Sequence, residues 1–172
     1  MFERSLCEKQ SRVEEIYNSN KESVFRTCYM ILKDYHLAED ATQETFMRVY
    51  CKLHTFNGRS EIKTWIIRIA VNVCKGRMRK KEYREIVSSD ITENTSEIFD
   101  ENAVEDKIVV VKAIMSLPLE FRVVIVLYYY WELSQKEIAK VLHIPQTTVA
   151  YRIHKAKQIL KNDIREDLLW VS

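Results

Sequence analysis

Leu133 to Lys157 reads LSQKEIAKVLHIPQTTVAYRIHKAK. The spacing predicts two short helices joined by a three-residue turn, the second ending in basic residues. Ser134 stands where a first-helix cap is needed, and Glu137 three residues on completes a capping box. Leu133 and Ile138 flank that cap as a hydrophobic staple. Ile138, Ala139 and Leu142 continue in the second helix as Val149, Ile153, Ala156 and Leu160, an inward face at helical spacing. Thr147, Tyr151, His154, Lys155 and Gln158 are left facing outward. A helix so presented, basic towards its end, fits the major groove of DNA.

Just upstream, Glu105 to Trp131 is expected to form two further helices broken near Leu117-Pro118. Val109, Val110 and Val111 and the run from Val123 to Tyr130 favour strands by propensity alone. No hairpin signal flanks them, so both stretches are read as helical. Tyr128, Tyr129, Tyr130 and Trp131 are expected to pack against the helix-turn-helix, since clustered aromatics are usually buried.

The N-terminal half reads as a helical bundle. Glu14 to Leu32 carries a stripe of Ile16, Tyr17, Val24, Cys28 and Ile31/Leu32. Ala38 to Leu53 is expected to bury Ala41, Phe46, Val49, Tyr50 and Leu53. Asp40, Gln43, Glu44 and Met47 fall on another side, at i, i+3, i+4 and i+7. A solvated polar face is the plain reading of such a stripe; two acids, an amide and a methionine also suit a docking surface. After a turn at Phe56-Asn57-Gly58, Ile62, Trp65, Ile66, Ile69, Val73 and Cys74 make a continuous apolar seam. Lys63, Arg68, Asn72, Lys75 and Arg79 project elsewhere. KGRMRKKEYR (Lys75 to Arg84) holds six bases and one acid. That exceeds what complementing a helix dipole requires, and a phosphate-contacting surface explains it better.

The chain has 172 residues, 47% of them apolar and 30% charged, with a net charge of +2. The balance is uneven. Residues 1–85 carry a net +5, residues 86–106 seven acids and no base, and residues 107–172 a net +4. Two basic blocks around an acidic strip imply two modules and a tether. The boundaries fall at 1–85 for the bundle, 86–104 for the linker and 105–172 for the helix-turn-helix domain. The strip is too polar to offset its ordering entropy and is expected to be flexible. The modules are expected to stand apart.

Other classes are excluded by what the residues lack. No apolar run reaches the roughly 18–20 residues that span a bilayer, and the start, MFERSLCEKQSR, has no apolar core of a secretory signal. Cys7, Cys28, Cys51 and Cys74 lie more than twenty residues apart, which suits neither zinc nor a disulfide framework. Reduced, mostly buried thiols in a cytoplasmic protein are expected. Two glycines and two prolines leave no Gly-rich phosphate loop. His36, His54, His143 and His154 are scattered without catalytic partners. Neither an enzyme nor a cofactor or metal is expected.

Four motifs in order carry a family resemblance. They are LAEDATQETFMRVY (Leu37–Tyr50), TFNGRSEIKTWIIRIAVNVCKGRMRK (Thr55–Lys80), SLPLEFRVVIVLYY (Ser116–Tyr129) and LSQKEIAKVLHIPQTTV (Leu133–Val149). With them the chain resembles the ECF (extracytoplasmic function) sigma factors of bacterial RNA polymerase, from about Glu14 to Ile164. The resemblance implies an all-α protein with a sigma region 2-like bundle and a region 4-like helix-turn-helix domain.

It also implies roles. Asp40, Gln43, Glu44 and Met47 would dock on the β′ clamp helices of core polymerase, with the β flap as a further polymerase contact. Phe56 and Asn72 stand where the family captures a flipped base of the −10 element, which needs an apolar wall and a donor–acceptor pair. Arg59, Lys63, Arg68, Lys75 and Arg79 would join them on −10 DNA, with Lys75, Arg77, Arg79 and Lys80 on backbone phosphates. Thr147, Thr148, Tyr151, Arg152, His154 and Lys155 would read the −35 element. His143 replaces a common turn glycine, Ala150 a frequent base, and Tyr151 a small residue. A cognate anti-sigma factor, often membrane-anchored in the family, is implied as regulator. A stand-alone helix-turn-helix regulator is the alternative, and an adaptor that binds a sigma factor is a weaker one.

Overall fold

The computed structural model describes residues 2–79 and 105–169, with side chains described over 11–79 and 109–162. The acidic segment at 86–104, Lys80 and Arg84 lie outside the described residues, as does the side chain of Cys7. Helix α1 spans Phe2–Leu32, α2 Tyr35–Lys52 and α3 Ile62–Met78, with a 3-10 turn at Leu53–Thr55. Then come α4 at Glu105–Ser116, α5 at Leu119–Ile125, a π-helical turn at Val126–Tyr130, α6 at Gln135–Leu142 and α7 at Gln146–Leu169. The all-α expectation holds, with no strand among the described residues. None of their helices is long and apolar enough to cross a membrane.

The strand-like run 123–130 is helical, α-helical and then π-helical, and its first five residues are enclosed. Val123, Val124, Ile125, Val126 and Leu127 are each at most 4% exposed, as an element enclosed on every side must be. The break at Leu117-Pro118 falls where expected.

Local chemistry sets the joints. Lys33 closes α1 in the left-handed region at φ 62°, its N–H donating to Tyr29 O at 2.8 Å. Asp34 then caps α2, accepting from Leu37 N–H at 2.7 Å. The result is a tight α1–α2 hairpin made without glycine. Buried Cys28 and Cys74 meet between α1 and α3, and their hydrogen bond, followed by burial, pushes the Cys74 thiol well up. Cys51, by contrast, is exposed.

Helix α3 is more enclosed than a single seam allows. Beyond Trp65, Ile66, Val73 and Cys74, it also buries Thr64, Ile67, Ala70 and Val71. It packs on α1 and α2 and also against α6. Tyr50, expected inside, is 37% exposed.

The two halves do not stand apart. One buried cluster runs from Val24, Ile66 and Val71 of the first three helices to Val124, Leu127, Ile138 and Val149 of the second half. The expectation of separated modules is thereby corrected. Two polar bonds explain the attachment. Arg122, 3% exposed, donates to Met115 O at 2.8 Å, to Leu117 O at 3.3 Å and to Ile31 O at 2.9 Å. One guanidinium thus satisfies the carbonyl ends of α1 and α4, where helices leave acceptors orphaned. Trp131 Nε1 donates to Thr27 Oγ1 at 2.7 Å, and Thr27 passes its own proton to Ser23 O at 2.8 Å. Trp131 therefore turns towards α1. Tyr129 and Tyr130 are 55% and 38% exposed, not packed away as expected, and Lys157 lies over the Tyr128 and Tyr129 rings.

Candidate nucleic-acid interface

The helix-turn-helix is built as its sequence reads. Ser134 Oγ accepts from Glu137 N–H at 3.3 Å, and Ser134 N–H donates to Glu137 Oε2 at 2.9 Å. Ser134 Oγ also donates to Glu137 Oε2 at 2.6 Å, and this bond first, then the one from Ser134 N–H, holds the Glu137 carboxyl below its ordinary range by favouring the charged form. His143 takes the left-handed turn position at φ 56°, ψ 46°, and its N–H bonds Ala139 O. Pro145 O receives Thr148 N–H at 3.0 Å and Val149 N–H at 3.2 Å, starting α7. Ile138, Leu142, Val149, Ile153 and Ala156 are buried, and Ala139 and Leu160 are half-buried. Thr147, Tyr151, His154, Lys155 and Gln158 are exposed and Thr148 is half-buried. His154 and Gln158 lie 3.1 Å apart on that open face.

Arg152 differs from its neighbours on α7. It is half-buried and paired with Glu120 Oε2 at 2.9 Å, a partner from α5 that nothing local in the sequence marks. It also stands near Lys75 of α3. The half-buried Lys75 has its pKa lowered first by burial and then by the charges of Arg152 and Arg79.

The first half presents two surfaces. On α2, Asp40 and Gln43 are exposed and Met47 is 66% exposed. Glu44 is half-buried because both its oxygens are taken, Oε1 by Arg48 at 2.6 Å and Oε2 by Arg77 at 2.9 Å. Arg77 also reaches Asp40 Oδ2 at 3.4 Å. Arg77, expected on phosphates, is thus committed to the acidic stripe. The Arg48–Glu44 pair is readable as i,i+4; the Arg77 pairs, 33 and 37 residues apart, are not.

The second surface follows the turn. Gly58 has φ 72°, and Asn57 Oδ1 accepts from Arg59 N–H at 3.2 Å, which folds the loop back by an Asx turn. Phe56 is half-buried, its ring centroid 5.5 Å from that of Trp65. Arg59, Lys63, Arg68, Asn72 and Arg79 are exposed. A cleft of about 430 Å³ opens between this loop and α6, lined by Phe56, Asn57, Arg59, Trp65 and Arg68 on one wall and Glu137, Lys140 and Val141 on the other. Asn72 does not line it. It stands one turn beyond Arg68, so the cleft joins Phe56 to Arg59 and Arg68 but not to Asn72. Lys140 and Val141 were missed by sequence reasoning, for their place opposite Phe56 depends on how the halves pack. Among the described residues no group of histidines, cysteines or carboxylates is arranged to hold a metal.

Known proteins share this pattern. Residues 16–84 match Sigma-70 region 2, and residues 108–160 match Sigma-70, region 4. The ECF RNA polymerase sigma factor SigW of Bacillus subtilis is 32% identical over 170 residues, covering 91% of each chain. SigM of the same organism is 32% identical over 152 residues, covering 87% of this chain and 93% of its own. In fold, the sigma factor RpoE of Bartonella quintana, solved with the anti-sigma factor NepR, has a TM-score of 0.73 at 21% identity, covering 88% of this chain and 96% of its own. CnrH, solved with the cytosolic domain of CnrY, gives 0.65 at 21% identity, covering 92% and 90%. Two matched regions in order, and full-length relatives above 30% identity, leave one conclusion: the chain belongs to the ECF family of RNA polymerase sigma factors.

Proposed function

We propose that this chain seats on core RNA polymerase in the cytoplasm and directs it to promoters, lending specificity while the polymerase performs the chemistry. Asp40, Gln43 and Met47 are the docking face, with Glu44 fixed behind them. Phe56, Arg59, Lys63, Arg68, Asn72, Lys75 and Arg79 meet the −10 element, where Asn72 holds an unstacked base. Thr147, Thr148, Tyr151, Arg152, His154 and Lys155 meet the −35 element. Residues 1–85 and 105–172 divide those tasks. The supporting observation is that an open acidic and thioether stripe on α2 sits beside a basic helix carrying an exposed Asn72. A stand-alone regulator has no use for that stripe. The two halves share one buried cluster, so gripping two separate elements requires the halves to part once polymerase is bound. We extend to this chain an anti-sigma partner, because the sigma factor RpoE is solved with the anti-sigma factor NepR.

Run-off transcription from genomic fragments, with core enzyme in the presence and absence of the protein, tests this. New starts with paired upstream elements are expected. Asp40→Arg with Met47→Asp, which leaves the Glu44 pairs in place, is expected to abolish both those starts and co-elution with core. No new start with the wild-type protein would sink the reading.

A further inference from the structure

The acidic stripe is not uniform. Met47 and Gln43 are open, and the Asp40 side chain is 62% exposed with only a long contact to Arg77. Glu44 already has an arginine on each oxygen. Two arginines already offset the single charge of that carboxylate, so it attracts an incoming cation weakly. Arg77 is itself only 19% exposed, so its pairs are partly desolvated and less screened than surface pairs. It belongs to α3, five residues after Asn72, yet its guanidinium ends on α2. It is therefore a polar tie between the helix that bears the docking stripe and the helix that bears Asn72.

Resting on the polymerase-docking reading above, we propose that Arg77 is a positioning residue for core binding. It acts through Glu44 and Asp40, and it does not contact promoter phosphate. By holding Glu44 and steadying Asp40, it presents the open side of the stripe to a basic partner surface. The same bond fixes the register of α3 on α2, so seating on polymerase also places Asn72. Geometry favours this over phosphate binding. A phosphate would have to displace two carboxylates from a group that is four-fifths covered, whereas exposed Arg79 on the same helix has no ion pair among the described residues to give up.

Two measurements on full-length protein separate the roles. The first is the Kd for core enzyme of the wild type, Arg77→Gln and Arg77→Lys. The second is the salt dependence of promoter binding by each assembled holoenzyme. Arg77→Gln is expected to weaken core binding roughly three- to tenfold, the scale of a lost, partly buried ion pair. Arg77→Lys, which still reaches Glu44, is expected to recover part of that loss. A merely space-filling role would not show this recovery. The slope of log K against log salt is expected to be unchanged. A fall in slope of about one, the signature of one lost phosphate contact, would overturn the proposal whatever happens to the Kd. So would an unchanged Kd in Arg77→Gln, or no recovery in Arg77→Lys. If the wild-type chain itself fails to bind core, the docking reading falls instead.

Discussion

Helices α6 and α3 both serve the candidate interface, and they are made in opposite ways. Helix α6 has eight residues and carries its instructions within itself: Ser134 and Glu137 at one end, His143 at the other, Ile138 and Leu142 between. Helix α3 has no side-chain cap at Glu61. It is held by what surrounds it, with α1, α2 and α6 on its sides and Arg77 tied to α2. The first kind of helix is specified by neighbours in sequence, the second by neighbours in space. The lesson is that a helix of the first kind tolerates change elsewhere in the chain, whereas one of the second kind is sensitive to it.

The largest effect should come from breaking the shared scaffold. Arg122→Ala removes three charge-assisted bonds to carbonyls and empties a buried site. A loss of about 3 kcal/mol is expected in urea unfolding. Because Ile31 O is among the acceptors, the backbone of α3 around Asn72 should gain mobility by NMR while the α6 cap amides keep their protection. Equal disturbance of both helices would erase the distinction between them.

A smaller effect should be confined to the self-contained helix. Ser134→Ala is expected to cost about 1 kcal/mol, as other lost N-caps do. It also has a pH signature. Glu137's folded pKa is depressed by its bonds to Ser134, so that contribution is present above the unfolded carboxylate pKa. It is lost as pH falls through the depressed folded value. Ser134→Ala should flatten this part of the stability–pH curve, and a curve still parallel to wild type would remove the cap from the account. The smallest effect is a gain. His143→Gly relieves a left-handed side-chained residue and should raise stability by up to about 1 kcal/mol, read as a modest rise in Tm.

The same contrast explains what was legible in the chain. The capping box, the Pro118 break and the exposed faces of α2 and α7 rest on spacings of a few residues. All were readable. The attachment of the halves was not, because it hangs on Arg122 to Ile31 and Trp131 to Thr27, 91 and 104 residues apart. A trace of it lay in the sequence nonetheless. Ile67, Ala70 and Val71 widen α3's apolar face beyond one seam, and a helix apolar on more than one side needs more than one neighbour. At the site, the open residues were recognisable by type and period. The pairings of Arg77 with Glu44 and of Arg152 with Glu120 were not, since ion-pair partners across helices leave no periodic signal. Tyr50, Tyr129 and Tyr130 misled because ring size suggested burial, while their hydroxyl ends suit a wet boundary equally well.

Lys75 feels the charges of Arg152 and Arg79 where the halves meet, and Glu120 is the acid that pairs with Arg152 there. Added electrolyte should weaken both the repulsion among these cations and the Arg152–Glu120 pair, because mobile ions screen repulsion as readily as attraction. A polyanion that reaches these cations relieves that repulsion. Positive charge thus outweighs negative at the spot where nucleic acid would be most welcome.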